Sequence, residues 1–479
     1  MTDPATPASR SAAWGPGQRL LTVGLASMVT AVAFEGLAVP TILPATLDEL
    51  RGIELYGWAF SGFWLSNLVG IALAGAEADR RGPMLPFVAG VVGFAGGLLL
   101  AGMAPSMGWV VVGRVVQGLG AGSIAAITYV AVARGYDPAA QPRMIAVISS
   151  AWVLPGLLGP AVAGWISQEL GWRWAFIGLA PLLPLAAVAV VLPLARLPAP
   201  VRDGSGDARP GSVRDAFQLA LGAGAILAAA TWGVLLPGLL VAGAGLLLVV
   251  GPLRRLLPGG DLTARTPQGA AVATLALLSV AFFGVEAFIP LTVASIRGAG
   301  TVAGGLALTA AAVTWAVGAW LQARLAGRRS RRSVTMAGLL AVAAGIAMAS
   351  AVSISAVPPV AVAAAAWAVA GLGMGLAYST TTLAVIESAA PGREGAASAS
   401  VQLANTLGIA LGTGIAGGVV ALAAQGPLGL APGIVIADLL MLIAVLLGLA
   451  TARRMAASGD RRAQHTGPAP GDHGPALSP

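Results

Sequence analysis

The stretch "VAFEGLAVP", Val32 to Pro40, decides how this chain is read. The residues around it stay apolar for about one bilayer crossing, roughly 20 residues, yet Glu35 puts a carboxyl group near the middle. A second stretch, "VAFFGVEAFIP" from Val280 to Pro290, repeats the arrangement with Glu286. An ionisable side chain at that depth costs several kcal/mol unless it is paired, hydrated or neutral. The fold must therefore carry the run across a membrane and also make Glu35 tolerable.

Composition agrees with a membrane solvent. Hydrophobic residues make up 57% of the chain and charged residues 10%, against roughly 25% charged in a soluble domain. Long apolar runs that carry Gly and Pro freely and are joined by short polar turns describe an all-α polytopic bundle; a spanning barrel would alternate in short segments. The formal charge of +8 is made entirely by arginines, 27 of them with no lysine. In a membrane chain their positions matter more than their sum, and no nucleic-acid partner is expected. There is no cysteine, and His465 and His473 lie in the C-terminal tail, so no metal site is expected. Without lysine the usual phosphate-cradling loop cannot form, which argues against an ATP-driven pump. No nucleophile stands with a base, so the chain does not read as an enzyme, and no cofactor is called for.

In chain order the apolar runs lie near 18–44, 56–77, 84–104, 108–133, 143–167 and 172–195, then 217–233 and 236–253, then 267–292, 301–323, 334–353, 357–384, 398–422 and 431–452. This predicts fourteen crossings. The expected organisation is an N-terminal tail over 1–17, a six-helix bundle over 18–195, a solvated linker over 196–216 ("RLPAPVRDGSGDARPGSVRDA"), two inserted helices over 217–253, a loop over 254–266, a second six-helix bundle over 267–452, and a C-terminal tail over 453–479. The first run is too long for a cleavable signal and is expected to stay in the membrane.

Arginines orient the chain. With the N-terminus inside, the cytoplasmic turns receive Arg80, Arg81, Arg134, Arg143, the linker arginines, Arg254, Arg255, Arg265, the run from Arg324 to Arg332, and Arg393, Arg453 and Arg454; only Arg51, Arg173 and Arg297 fall outside. Both tails are expected in the cytoplasm of a cell whose inner membrane holds the protein.

Four motifs occur in order along the first half. The turn after the second run is "GAEADRRGP", with Gly75, Asp79, Arg80 and Gly82; the fourth run holds "GRVVQGLGAG", with Arg114 and Gln117; the fifth holds "LPGLLGPAVAG", with Gly159, Pro160 and Gly164; "GWRWAF" opens the sixth. Together they resemble the major facilitator superfamily, in its drug:proton antiporter branch, and the inserted pair resembles the fourteen-helix members. The resemblance implies two six-helix bundles around a central cavity, a cytoplasmic gate at Gly75, Asp79, Arg80 and Gly82, and an exporter element at Gly159, Pro160 and Gly164. In the gate, Asp79 could accept from neighbouring helix N-termini while Arg80 reaches phosphates or helix C-termini. "GAWLQARLAGRRSRR", Gly318 to Arg332, stands at the equivalent place in the second half but lacks the aspartate. Such internal repetition puts a transport site at the interface of the repeats near mid-membrane.

Counting ~1.5 Å per helical residue places Glu35 ~14 Å from the outer end of its run and Arg114 ~9–12 Å from the outer end of its own. The two share a depth, and the resemblance lets their helices meet at the cavity, where each would lower the other's cost. The proton affinity of such a carboxyl depends on how dry it is and how near a guanidinium lies, and both would change as a cavity alternates. Glu35, Arg114 and Glu286 are therefore the expected proton-coupling residues, with static pairing as the competing reading; Glu286 could also bind a cationic substrate. Gln117, Trp152, Gln402 and Asn405 are expected to contact substrate, although buried amides also bond neighbouring helices. Asp438 reads as structural, and Trp109, Trp172 and Trp174 as interface anchors. The expected activity is a proton-driven exporter of lipophilic small molecules, cationic ones among them, working as a monomer among membrane lipids. A nutrient-importing proton symporter and a non-transporting receptor or scaffold are the alternatives.

Overall fold

The computed structural model describes residues 16–196, 210–231, 235–257, 263–354, 361–389 and 393–455. The N-terminal tail up to 15, most of the expected linker and nearly all of the C-terminal tail lie outside the described residues.

The first half consists of α1 (Pro16–Leu50), α2 (Tyr56–Arg81), α3 (Met84–Gly102), α4 (Met107–Gly135), a fifth span broken into α5 (Gln141–Ser150) and α6 (Val153–Glu169), and a sixth made of α7 (Trp172–Ile177) and α8 (Leu182–Leu194). The inserted pair is α9 (Pro210–Thr231) and α10 (Leu235–Leu256). The second half begins with α11 (Pro267–Glu286), which continues through a single turn, α12 (Ile289–Leu291), and a π-helical turn (Thr292–Ile296). It ends with α13 (Gly300–Leu325), α14 (Arg331–Ile354), α15 (Ala361–Glu387), α16 (Glu394–Gln425) and α17 (Leu430–Ala452). Among the described residues, 13 spans are long and apolar enough to cross a membrane. The remaining helix, α9, has 22 residues, ~33 Å at helical rise and thus a match for a hydrocarbon core of ~30 Å. It starts before the expected 217, and Asp215 in its second turn is tied to α10: Arg255 Nε donates to Asp215 Oδ1 at 3.0 Å.

Small residues let the helices of each half approach closely. A Cβ on Gly97 of α3 would lie 2.6 Å from Gln117 N of α4, and one on Gly373 of α15 would lie 2.5 Å from Gly338 O of α14. Only glycine fits at such crossings, which supply packing where lipid gives no hydrophobic drive. The seams correspond: α2 and α3 flank α4 as α13 and α14 flank α15.

Prolines create the interruptions, and neighbouring helices satisfy what they free. Pro155 cannot donate to the carbonyl of Ala151, the residue at the break between α5 and α6, and Thr30 of α1 donates to that carbonyl at 3.2 Å. Pro290, which cannot donate to the carbonyl of Glu286, follows the break between α11 and α12, and in that break the adjacent Ala287 carbonyl accepts from the Tyr56 hydroxyl of the other half at 3.3 Å.

The two halves meet at the end that carries Arg51. Ser61 of α2 donates to Ala410 O of α16 at 2.9 Å, Thr301 of α13 donates to Gly164 O of α6 at 3.1 Å, and Gln425 donates to Glu54 at 3.3 Å. The Arg80 end instead holds ion pairs within each half: Arg134 with Asp79 at 3.1 Å, and Arg331 with Glu387. Leu227 and Ala223 of α9 pack on Leu65 of α2 and on Leu407 and Ala410 of α16, so the inserted pair straddles one of the two seams between the halves.

Candidate functional site

Glu35 and Arg114 come together. Both are 2% exposed, and Arg114 Nη1 donates to Glu35 Oε1. The guanidinium is fixed on its other sides: Nε donates to Ala59 O of α2 at 2.9 Å, Nη1 also donates to Gln117 Oε1 at 2.9 Å, and Cζ lies 4.2 Å from the centre of the Phe63 ring. Three helices therefore build the site. α1 brings the acid, α4 brings the base and its amide neighbour one turn on, and α2 supplies a carbonyl and a ring face. Glu35 Oε2 and Gln117 Nε2 are buried without a hydrogen-bond partner among the described residues, which leaves one free acceptor and one free donor beside a buried charge pair. Such a pair is costly to dehydrate, and losing either partner costs more still.

The other expected residues are distributed unevenly. Gln117, expected to face substrate, is completely enclosed and orients the arginine instead. Glu286 is half-buried at the end of α11, and among the described residues no ion pair or hydrogen bond joins it to Glu35 or Arg114. It lies three and four residues after Phe283 and Phe282, on the same side of the helix. Trp152 sits at the break between α5 and α6 and is 45% exposed. Gln402 is exposed, whereas Asn405 accepts from Ser279 of α11 at 2.9 Å and ties α16 to it. A surface recess of about 450 Å³ between α9 and α10, lined in part by Arg214, Asp215 and Arg255, is built by the inserted pair and includes none of these residues.

At the Arg80 end, Gly82 has φ +92, a value that favours glycine, and turns the chain from α2 into α3. Asp79 pairs with Arg134 at the end of α4 rather than with a helix N-terminus. Arg80 is exposed, and Gly75 has open space around it. The second half, which has no aspartate at this place, forms its own clip from Glu387 at the end of α15 and Arg331 at the start of α14. The sequence signal for that clip was an acid at the close of one apolar run and an arginine at the opening of another. In the fifth span, Gly164 packs on α13, where an added Cβ would lie 3.0 Å from Thr301 O, and Gly159 faces Phe34 and Leu37 of α1. Pro160 backs onto Gly305 of α13.

A further placement overturns an expectation. Trp172 is 3% exposed and donates to Glu49 at 2.8 Å, so it is a buried strut, while Trp109 and Trp174 remain exposed as anchors would. Glu49 also accepts from Arg173 at 2.6 Å, which draws α1 to α7 at the Arg51 end. Asp438, read as structural, accepts from Ser350 of α14 at 2.8 Å and is 2% exposed.

Comparison with known proteins places this arrangement. Over 436 residues the chain is 29% identical to a "probable multidrug-efflux transporter" of Mycobacterium tuberculosis, covering 87% of this chain and 90% of that one. A shorter match, 27% identical over 172 residues, covers 36% of this chain and 31% of a multidrug transporter protein of Bacillus subtilis. Among solved structures, a bacterial homologue of the human lysosomal transporter Spinster superposes with a TM-score of 0.63 at 16% identity, over 92% of this chain and 98% of that one. A peptide-transporter-family (POT) protein solved with 5-aminolevulinic acid gives 0.65 at 12% identity, over 91% and 96%. The Major Facilitator Superfamily model matches residues 20–413. With two matching bundles, four motifs on the expected helices and a family match across most of its length, this multi-pass membrane transporter belongs to the major facilitator superfamily.

Proposed function

We propose that the protein is a proton-coupled exporter of lipophilic small molecules, cationic ones included, which resides in the plasma membrane with both termini in the cytoplasm. The observation that carries this reading is the enclosed pair of Glu35 and Arg114 at the centre of the first bundle. A scaffold could hold its helices with glycine seams alone, which this chain already has; a buried charge pair with an unsatisfied carboxylate oxygen is an expensive addition. In the proposed cycle a proton from outside binds Glu35 and neutralises it. The guanidinium of Arg114 keeps its bonds to Ala59 O and Gln117, and substrate and proton compete for the balancing role. Rocking of the halves about their contacts then changes which side reaches the acid, and the proton leaves to the cytoplasm. The arginine distribution supports the orientation, and the names of the relatives support small-molecule export.

The test is a pH electrode or pH-sensitive dye in proteoliposomes of the whole chain. Addition of a transported drug should move protons in the direction opposite to the drug. Movement in the same direction would make the protein a symporter, and no movement would make it a scaffold or a uniporter.

A further inference from the structure

The inserted pair meets through glycine and then parts. A Cβ on Gly222 of α9 would lie 2.7 Å from Gly245 O of α10, and one on Gly245 would lie 2.6 Å from Gly222 O. One turn nearer the Arg80 end, Gln218 and Leu248 begin the recess of about 450 Å³ between the two helices. Arg255 crosses its far side, held to Asp215 through Nε at 3.0 Å and Nη2 at 2.5 Å. Gly251 leaves room for that guanidinium, whose Nη1 would lie 3.7 Å from a Cβ there.

Charge around the recess is not balanced. Asp215 is buried and answers Arg255, whose side chain stays 57% exposed. Arg214 lines the recess, and Arg254 lies one turn beyond Gly251 and two beyond Leu247 on the same face of α10. Both are exposed, and neither forms an ion pair among the described residues. Three arginines and one aspartate leave two positive charges in excess. Toward mid-membrane the surface turns to hydrocarbon: Leu247, Leu240 and Leu236, spaced seven and four residues apart, form an exposed ridge on that same face of α10, ~16 Å long at helical rise.

Unpaired guanidiniums at the membrane surface, an amide beside them and an apolar ridge running into the bilayer match one molecule with an anionic head and a long tail. We propose that the recess between α9 and α10 binds an anionic phospholipid from the leaflet at the Arg80 end, with its phosphate and headgroup against Arg214 and Arg254 and an acyl chain along the leucine ridge. A free phosphate would engage the arginines and leave the ridge bare. This site is independent of the direction of transport and of proton coupling.

The experiment is native mass spectrometry of the full-length protein in detergent, titrated with dioleoylphosphatidylglycerol or dioleoylphosphatidylcholine, with thermal unfolding recorded for each variant. Wild type should hold one phosphatidylglycerol roughly tenfold more tightly than phosphatidylcholine. Arg214→Gln with Arg254→Gln should abolish that preference, and the two lysine replacements should keep most of it. Arg328→Gln with Arg329→Gln removes the same charge from exposed positions at the α13–α14 turn and should leave the preference intact. The inference is overturned if wild type shows no preference, as it would if Asp203 or Asp207 of the linker filled the recess. It is equally overturned if the Arg214/Arg254 variant keeps the preference, or if the Arg328/Arg329 variant loses as much. Displacement of the lipid by millimolar inorganic phosphate would make this a free-anion site and would overturn the assignment to lipid.

Discussion

Arg114 shows how much a single residue organises. Its guanidinium contacts an acid, an amide, a backbone carbonyl and a ring from three helices. Arg114→Met should strand the Glu35 carboxylate and lower stability by roughly 3–5 kcal/mol at neutral pH, less where the acid can protonate. The double variant Glu35→Gln with Arg114→Met should recover part of that loss, and thermal unfolding of the four proteins in a double-mutant cycle checks the coupling. The pair was legible in the sequence because charge in hydrocarbon is costly and depth can be counted along a helix. Depth does not say which way a side chain faces, and for that reason Gln117 read as a substrate contact when its place is behind the arginine. Trp172 was misread for a similar reason: an aromatic residue near a helix end suits the interface unless an acid such as Glu49 draws it inward.

Elements in this molecule are joined where proline breaks them. The Ala287 carbonyl at the break after α11 is held by Tyr56 of the other half. Tyr56→Phe should cost about 1 kcal/mol of that contact and speed hydrogen exchange around 285–292 more than in the middle of α11. The seam between α6 and α13 is tight at Gly164, where even a Cβ would lie 3.0 Å from Thr301 O. Gly164→Leu should wedge the Arg51 end apart and cut transport several-fold while leaving the bundles folded, as circular dichroism and transport assays on one preparation would show. Helix existence, order and approximate ends could be read from runs of apolar residues. The breaks could be anticipated from Pro155 and Pro290, but their partners could not, since Thr30 and Tyr56 are brought there by tertiary packing across more than a hundred residues.

At the scale of the whole molecule, the halves close at the Arg51 end and α9 bridges α2 and α16 on one flank only. The chain has no cysteine, so an introduced pair at Glu54 and Gln425, whose side chains are hydrogen-bonded at 3.3 Å, can be oxidised without competing thiols. The cross-link should stop transport, and reduction should restore it, if opening of that end belongs to the cycle. The duplication that underlies this architecture was visible in the two matching turns, but the second clip, Arg331 with Glu387, uses acid and base in exchanged places and so escaped a motif match. The central claim is that Glu35 carries the coupled proton. It is tested most directly in inverted vesicles with Glu35→Gln, comparing pH-gradient-driven drug accumulation with drug counterflow in the absence of a gradient. The account predicts that counterflow persists and gradient-driven accumulation is lost; accumulation at the wild-type rate alongside normal counterflow would contradict it.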